Sequence, residues 1–446
     1  KQADSDAPLL IFTDAFRRKK WAEAERALSV LEAADDFAFM MPMLKGWLNV
    51  AQGRDSNVSG QALLTSGLTA YYSDDQIIYF DLADGNIAQA KLRLRNFRGY
   101  DEPHGRFLAG HAMGEFSRGG DAEFASALGR QIGLDVGNYA TSRVTAELGL
   151  AMLFTRLGLA LDEQRQPQKG LLFARIATWL APSSDAAKLG LAELMDRQDL
   201  DGKASALLKG IAPNSPFWVQ AVVNQTQLVA TPEEAVAIAR TASEAQPASS
   251  QLKLLYAQSL EQADRRDLAV TVYRSLLDQD AGRSNGARRA VYLLLLATAL
   301  DASGDWDSAR NALEDAAVLD PKNPQILNYL GYSLLERRID VARGFDLVSQ
   351  AHQLAPQSAA ITDSLGWAQF LRGEVDKAIP LLESAVKGAI ADAAINEHLG
   401  DAYWSAGRRS EARFLWKAAA LAAEGEAVGR LAQKIDFGWT KETAAP

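Results

Sequence analysis

The chain has 446 residues and no cysteine. Disulfides, thiolate metal sites and cysteine nucleophiles are therefore excluded for this sequence. The absence suits an oxidising compartment, where stray thiols are a liability, although many cytosolic proteins share it. Histidine is scarce, with only His104, His111, His352 and His398. His104 and His111 lie seven apart and could share a helix face. Zinc needs two further ligands, and no spaced set of Asp, Glu or His supplies them, so a surface or capping role is preferred. His398 reads as a helix-surface residue. Long apolar runs are missing too. The longest, Ala290 to Ala297, ends at Thr298, far short of the roughly 20 residues that span a bilayer. Positive charge is in deficit, with a net charge of −9, which disfavours nucleic acid and anionic membrane as main partners. Gly-x-Ser-x-Gly, Walker A and Gly-x-Gly-x-x-Gly strings do not occur. Asp278-Gln279-Asp280-Ala281-Gly282 has the start of a calcium loop. It lacks a third acidic ligand before the Gly and a terminal Glu, and reads as a solvated turn. No catalytic residue, cofactor or metal is expected.

What is present is a period. Tyr329-Leu330-Gly331-Tyr332, Ser364-Leu365-Gly366-Trp367 and His398-Leu399-Gly400-Asp401 place their Leu-Gly pairs 35 and 34 residues apart. Ala351, Ala385 and Ala419 follow the glycines at 20, 19 and 19 residues. Such a period marks stacked helical hairpins. A stack of this kind lets a long chain avoid the size limit of a single hydrophobic core, because each unit buries its apolar face only on its neighbours. Small residues (Gly331, Gly366, Gly400, Ala309, Ala378, Ala412) let two helices approach at their crossing. Large ones (Leu330, Leu365, Leu399, Tyr403, Trp416) fill the space around it. Gly304, Gly373 and Gly407 supply turns, and Pro321 and Pro356 end second helices.

The pattern is regular over residues 250–423, divergent over 148–249, and degenerate over 1–147, where a helical domain of another origin is the alternative. In 148–249 it is carried by Leu157-Gly158, Ala174, Leu189-Gly190 and Ala204. Leu63-Leu64 and Tyr71-Tyr72 read as core and turn residues. Residues 424–446 are expected to form a capping helix and a frayed tail. In that helix Val428, Leu431 and Ile435 make the apolar stripe, Arg430 and Lys434 lie elsewhere on the surface, and Phe437 and Trp439 fold back. Arg408-Arg409 with Arg413 is basic. Pairing with Glu411 at a solvated helix start is preferred to a partner site.

Leu-Gly, an aromatic or Leu three residues later, Ala, a large residue and Pro at this spacing resemble the tetratricopeptide repeat family. The resemblance implies an all-α fold, a right-handed superhelical solenoid of antiparallel hairpins. Two departures are the missing Trp before Leu-Gly and the missing terminal Pro near Ile390. A narrower resemblance is carried by Leu327-Asn328-Tyr329-Leu330-Gly331-Tyr332, Asp363-Ser364-Leu365-Gly366-Trp367 and Gly407-Arg408-Arg409-Ser410-Glu411-Ala412-Arg413. These strings are similar to the C-terminal repeats of proteobacterial envelope proteins. Some of those are lipoprotein adaptors between a periplasmic carboxyl-terminal processing protease and cell-wall hydrolases. That resemblance implies a periplasmic location, with a lipid anchor expected upstream of Lys1.

Residues three before, one after and four after each repeated Gly share one helix face. In this family that face lines a concave groove. Its occupants are Asn328, Tyr332 and Leu335, then Asp363, Trp367 and Phe370, then Glu397, Asp401 and Trp404. Leu294, Thr298 and Asp301, and Leu254, Gln258 and Glu261, precede them in the two earlier units. Aromatics beside acidic and amide groups suit protein recognition. The alternative is that they pack between hairpins or under the terminal helix. Three functions follow: a non-enzymatic envelope scaffold that brings protein partners together, a cytoplasmic module binding peptide tails, and an enzyme using His104 or His111.

Overall fold

The structure, a computed structural model, describes residues 3–33, 38–56, 67–133, 143–281, 286–440, 443 and 445. Leu63-Leu64, Gly282 and Lys1 lie outside the described residues. The described secondary structure is helical, without a strand, as the 34-residue period requires. Two compact units meet between Ala263 and Asp264. The boundaries expected at 147, 249 and 423 concern repeat regularity instead. The first unit contains α1 (Ala3–Arg17), α2 (Trp21–Ala33), α3 (Met41–Ala51), α4 (Gly67–Ala83), α5 (Ile87–Asn96), α6 (Pro103–Arg118), α7 (Ala122–Gln131), α8 (Ala146–Glu163), α9 (Pro167–Leu180), α10 (Asp185–Asp196), α11 (Asp201–Lys209), α12 (Trp218–Gln227), α13 (Pro232–Ala245) and α14 (Ser250–Gln262). The second contains α15 (Arg266–Gln279), α16 (Gly286–Ala302), α17 (Trp306–Leu319), α18 (Pro324–Glu336), α19 (Val341–Leu354), α20 (Ala359–Leu371), α21 (Val375–Gly388), α22 (Ala393–Ser405), α23 (Arg409–Ala420) and α24 (Glu426–Phe437).

In the second unit each hairpin is written in local chemistry. Asn323, Ser358 and Asp392 cap the first helices α18, α20 and α22 by accepting from backbone amides at their N-termini. Gly304, Gly373 and Gly407 turn each hairpin at φ of 90°, 79° and 81°. The hairpin of α18 and α19, where Ala351 follows Gly331 by 20 residues instead of 19, uses Arg338 at φ 52° in that place, with the strain of a side chain in the left-handed region. The repeated glycines sit where the second helix crosses. A Cβ on Gly331 would lie 2.9 Å from the Gly344 carbonyl oxygen, and one on Gly366 2.7 Å from Leu382. The sequence therefore accepts about 1 kcal/mol of helix propensity per glycine in exchange for close packing. Successive hairpins stack, so that α18 lies beside α20 and α20 beside α22.

The first unit departs from a linear array. Helix α8 packs on α3, α4, α6, α9 and α10, and α1 reaches α9. Every residue of α8 from Leu148 to Leu159 is buried, so this helix is apolar all round and central. Trp47 of α3 lies against Gly149 so closely that an added Cβ would enter its indole ring. Its Nε1 donates to Gln76 Oε1 at 2.8 Å. Arg156, also inside, is held by Asp74, by Asp75 Oδ1 at 2.6 Å and by the Tyr71 carbonyl. Tyr72 is buried while Tyr71 is exposed.

Gly149→Ala is expected to destabilise the first unit by about 1–3 kcal/mol, because the Trp47 ring must leave its rotamer. Urea unfolding followed by tryptophan fluorescence reads the loss. An unchanged midpoint would mean that the contact is not tight.

Candidate functional site

Helices α18, α20 and α22 carry the nine stripe residues, and the structure sends them to different fates. Asp363, Trp367, Glu397 and Asp401 are buried, and Phe370 and Trp404 half-buried. Helix α24 packs on α23, and its side chains reach back to this face. Trp439, just beyond α24, meets Phe370 edge-on at 6.3 Å. Asn328 and Tyr332 are half-buried. Leu335 lies in apolar core with Val348 and Ala368, because the i+7 position of α18 turns into the hairpin crossing beside Gly344.

The cover is electrostatic. Lys434 is 0% exposed, and its Nζ donates to Glu397 Oε1 at 2.6 Å and to both Asp401 oxygens at 2.8 Å. Arg430 grips Glu397 with two bonds, 2.8 and 2.9 Å. Asp401 also accepts from Trp416 Nε1 at 3.0 Å, Trp439 Nε1 at 3.1 Å and the Ala445 amide at 3.0 Å. Burial pushes the Glu397 carboxyl upward, but Arg430 and Lys434 outweigh it and hold the group below its usual range. At Asp401 burial outweighs Lys434 and the carboxyl sits above its usual value. Of the apolar stripe expected on α24, Leu431 is buried and Ile435 packs half-buried on the same core, but Val428 is 49% and Phe437 83% exposed, and Lys434, expected on the surface, is buried. The lysine turns inward because two carboxylates on α22 stand where an apolar floor would be. Of the tail expected to fray, Thr443 and Ala445 are described, and both are buried.

His398 is not a surface residue. It is buried, with Nδ1 2.8 Å from Asp363 Oδ2. The rings of His398, Trp367 and Phe370 stack in series at 4.2 and 4.9 Å. Burial pushes the imidazole pKa down, yet Asp363, Asp401 and Glu397 outweigh it and raise the value above the ordinary 6.5. Asp363 Oδ1 and Trp367 Nε1, both buried, find no hydrogen-bond partner among the described residues. Arg408 pairs with Glu411 and Glu383. Arg413 does more than the basic cluster suggested, since its Nε donates to the Ile435 carbonyl at 3.0 Å and ties α24 down.

The first unit carries a separate cleft of about 600 Å³. Phe107, Leu189, Phe217 and Val223 line it together with Arg106 and Gln220. Leu254 and Gln258 of the sequence stripe line it. The lining brings together α6, α10, α12 and α14 with Ile132, Arg197, Pro216 and Phe217 beside them, an approach that no local pattern signals. His104 and His111 are not a pair. His111 meets the Tyr79 hydroxyl at 3.0 Å, and burial lowers its pKa to about 4. Burial, followed by Arg156, lowers His104 to about 4. Among the described residues no group of three or more His, Asp or Glu stands together as a metal site.

Residues 294–359 match the tetratricopeptide repeat family. These repeats are interaction modules, and the match indicates no catalytic family. A TPR repeat-containing protein of Pseudomonas aeruginosa is 27% identical over 221 residues, 49% of this chain and 36% of that protein. The chain thus spans about a third of that curated relative's length. Yeast Tom70 is 14% identical with a TM-score of 0.45, covering 98% of this chain and 95% of its own. MamA is 24% identical with a TM-score of 0.30, covering 37% and 93%. The family match covers α17, α18, α19 and the C-terminal half of α16, and the acidic pocket lies downstream of it, on α22.

Trp367→Ala is expected to cost about 3–5 kcal/mol in urea unfolding, as for a large aromatic removed from a packed interior. A loss below about 1 kcal/mol would show that the ring stack is not packed. The raised His398 pKa stabilises the fold fully below 6.5 and ceases to do so as pH rises through the folded value. The melting temperature of the native chain should therefore exceed that of His398→Gln most near pH 6, with the gap narrowing towards pH 9. A gap that widens with pH would refute the charged pair.

Proposed function

We propose that the chain is a non-enzymatic scaffold that binds partner proteins along the first-helix faces of its hairpins. We further propose that it works in the periplasm, held by a lipid anchor upstream of Lys1, bringing a carboxyl-terminal processing protease to a cell-wall hydrolase substrate. The observation that carries the scaffold reading is the face formed by α20 and α22. It holds a helix through carboxylates and aromatic rings, the chemistry that the stripe was expected to use on a partner. The cleft of the first unit supplies a second recognition surface, so one chain has room for two partners. The adaptor reading is supported by the similarity of the last repeats to envelope adaptors. No helix among the described residues is long and apolar enough to cross a membrane. Raised effective concentration is the mechanism, and it needs no chemistry from the chain itself.

The test is cleavage of the hydrolase by the protease, measured while the chain is titrated. The expected rate rises by about tenfold or more and then falls as excess scaffold separates the two partners. A rate that never changes refutes the adaptor role. A rise to a plateau, without the fall, marks an activator instead of a scaffold.

A further inference from the structure

The geometry points to a defined ligand for the pocket that Glu397 and Asp401 make on α22. We propose that this pocket binds a partner segment with the chemistry of α24, a cationic helix with basic residues four apart and a tryptophan five residues beyond the second. Helix α24 fills the pocket in cis, and the partner binds by displacing it. The inference rests on the reading of the first-helix face as a recognition face.

Four observations carry it. The grip of α24 on α22 is ionic, through Arg430 and Lys434 to Glu397 and Asp401, beside a short apolar seam of Leu431, Ala427 and Ile435. A buried ion pair is close to neutral against its desolvation cost, unlike an apolar seam. Such a cover is therefore exchangeable for another that carries the same charges. Next, Gly425 and Gly438, at φ 57° and 91°, bracket the helix, and such backbone is accessible to glycine without strain. Gly425 has open space around it and gives the helix a pivot at its N-terminal end, whereas Gly438 is packed against the Trp404 ring. Third, polar atoms next to the covered face are unpaired, since buried Asp363 Oδ1 and Trp367 Nε1 of α20 lack partners among the described residues. A buried polar group without a partner carries a desolvation cost. Finally, opening α24 exposes two carboxylates beside Phe370 and Trp404, a surface complementary to cations and aromatic rings.

The test uses the whole chain and a synthetic peptide of residues 424–446. On the native chain, hydrogen exchange of amides 426–437 should quicken when millimolar peptide is added, and should not respond to the same peptide carrying Lys434→Ala. Fluorescently labelled peptide should bind the double variant Arg430→Gln, Lys434→Met about tenfold to a hundredfold more tightly than the native chain, because the tethered competitor at millimolar effective concentration is lost. Adding Glu397→Gln and Asp401→Asn should abolish that binding. If exchange is unchanged by peptide and the double variant gains no affinity, α24 is a permanent cap and the proposal fails. That failure leaves the protease titration untouched, and a flat titration with intact peptide exchange sinks the adaptor reading alone.

Discussion

A two-helix hairpin can bury only one of its faces on itself, and the other must lie on a neighbour. That constraint generates the second unit. It requires small residues where helices cross, so Gly331, Gly366 and Gly400 sit against Gly344, Leu382 and Trp416. It also leaves the last hairpin with a bare side, and α24 closes it. A stack of identical modules would use an apolar seam for this purpose. Here the closing helix reaches α22 through Arg430 and Lys434, and its aromatic follower Trp439 reaches α20.

The chemistry of that closure differs from the chemistry of the stack. Between hairpins, apolar area is removed from water, and that burial drives the stacking. Between α24 and α22 the contacts are ionic, fully buried at Lys434 and Asp401 and partly exposed at Arg430, beside the apolar seat of Leu431. They become costly when one partner is lost and near-neutral when the set is complete. Asp401 is the common acceptor, joining α22 to α23 through Trp416, to α24 through Lys434 and to the tail through Ala445. The ring series from His398 to Phe370 lies next to it. The face carrying these carboxylates and rings is thus covered by ion pairs as well as by the apolar contacts of Leu431 and Ile435.

The first unit obeys the same packing rules with a different connectivity. Helix α8 is enclosed by α3, α4, α6, α9 and α10, and Trp47 docks on Gly149 as a second helix would dock on a repeat glycine. The divergent pattern from residue 148 onward reflects this, because a helix buried on several sides has no single face to keep periodic. The cleft lined by Phe107 and Phe217 arises from helices far apart in sequence.

The 34-residue period, the glycine turns and the Leu-Gly crossings were legible in the chain itself. They follow from local rules: propensity, φ preference and the volume available at a crossing. The stripe from Asp363 to Trp404 was legible as a shared helix face for the same reason. What covers it was decided by the tertiary structure. The direction of Lys434, the burial of His398 beside Asp363 and the loss of Leu335 to the core depend on groups that only folding brings within hydrogen-bond or van der Waals distance. A lysine reads as surface in any sequence because its desolvation cost is high. Only the arrival of two carboxylates from α22, more than 30 residues earlier, makes its burial tolerable.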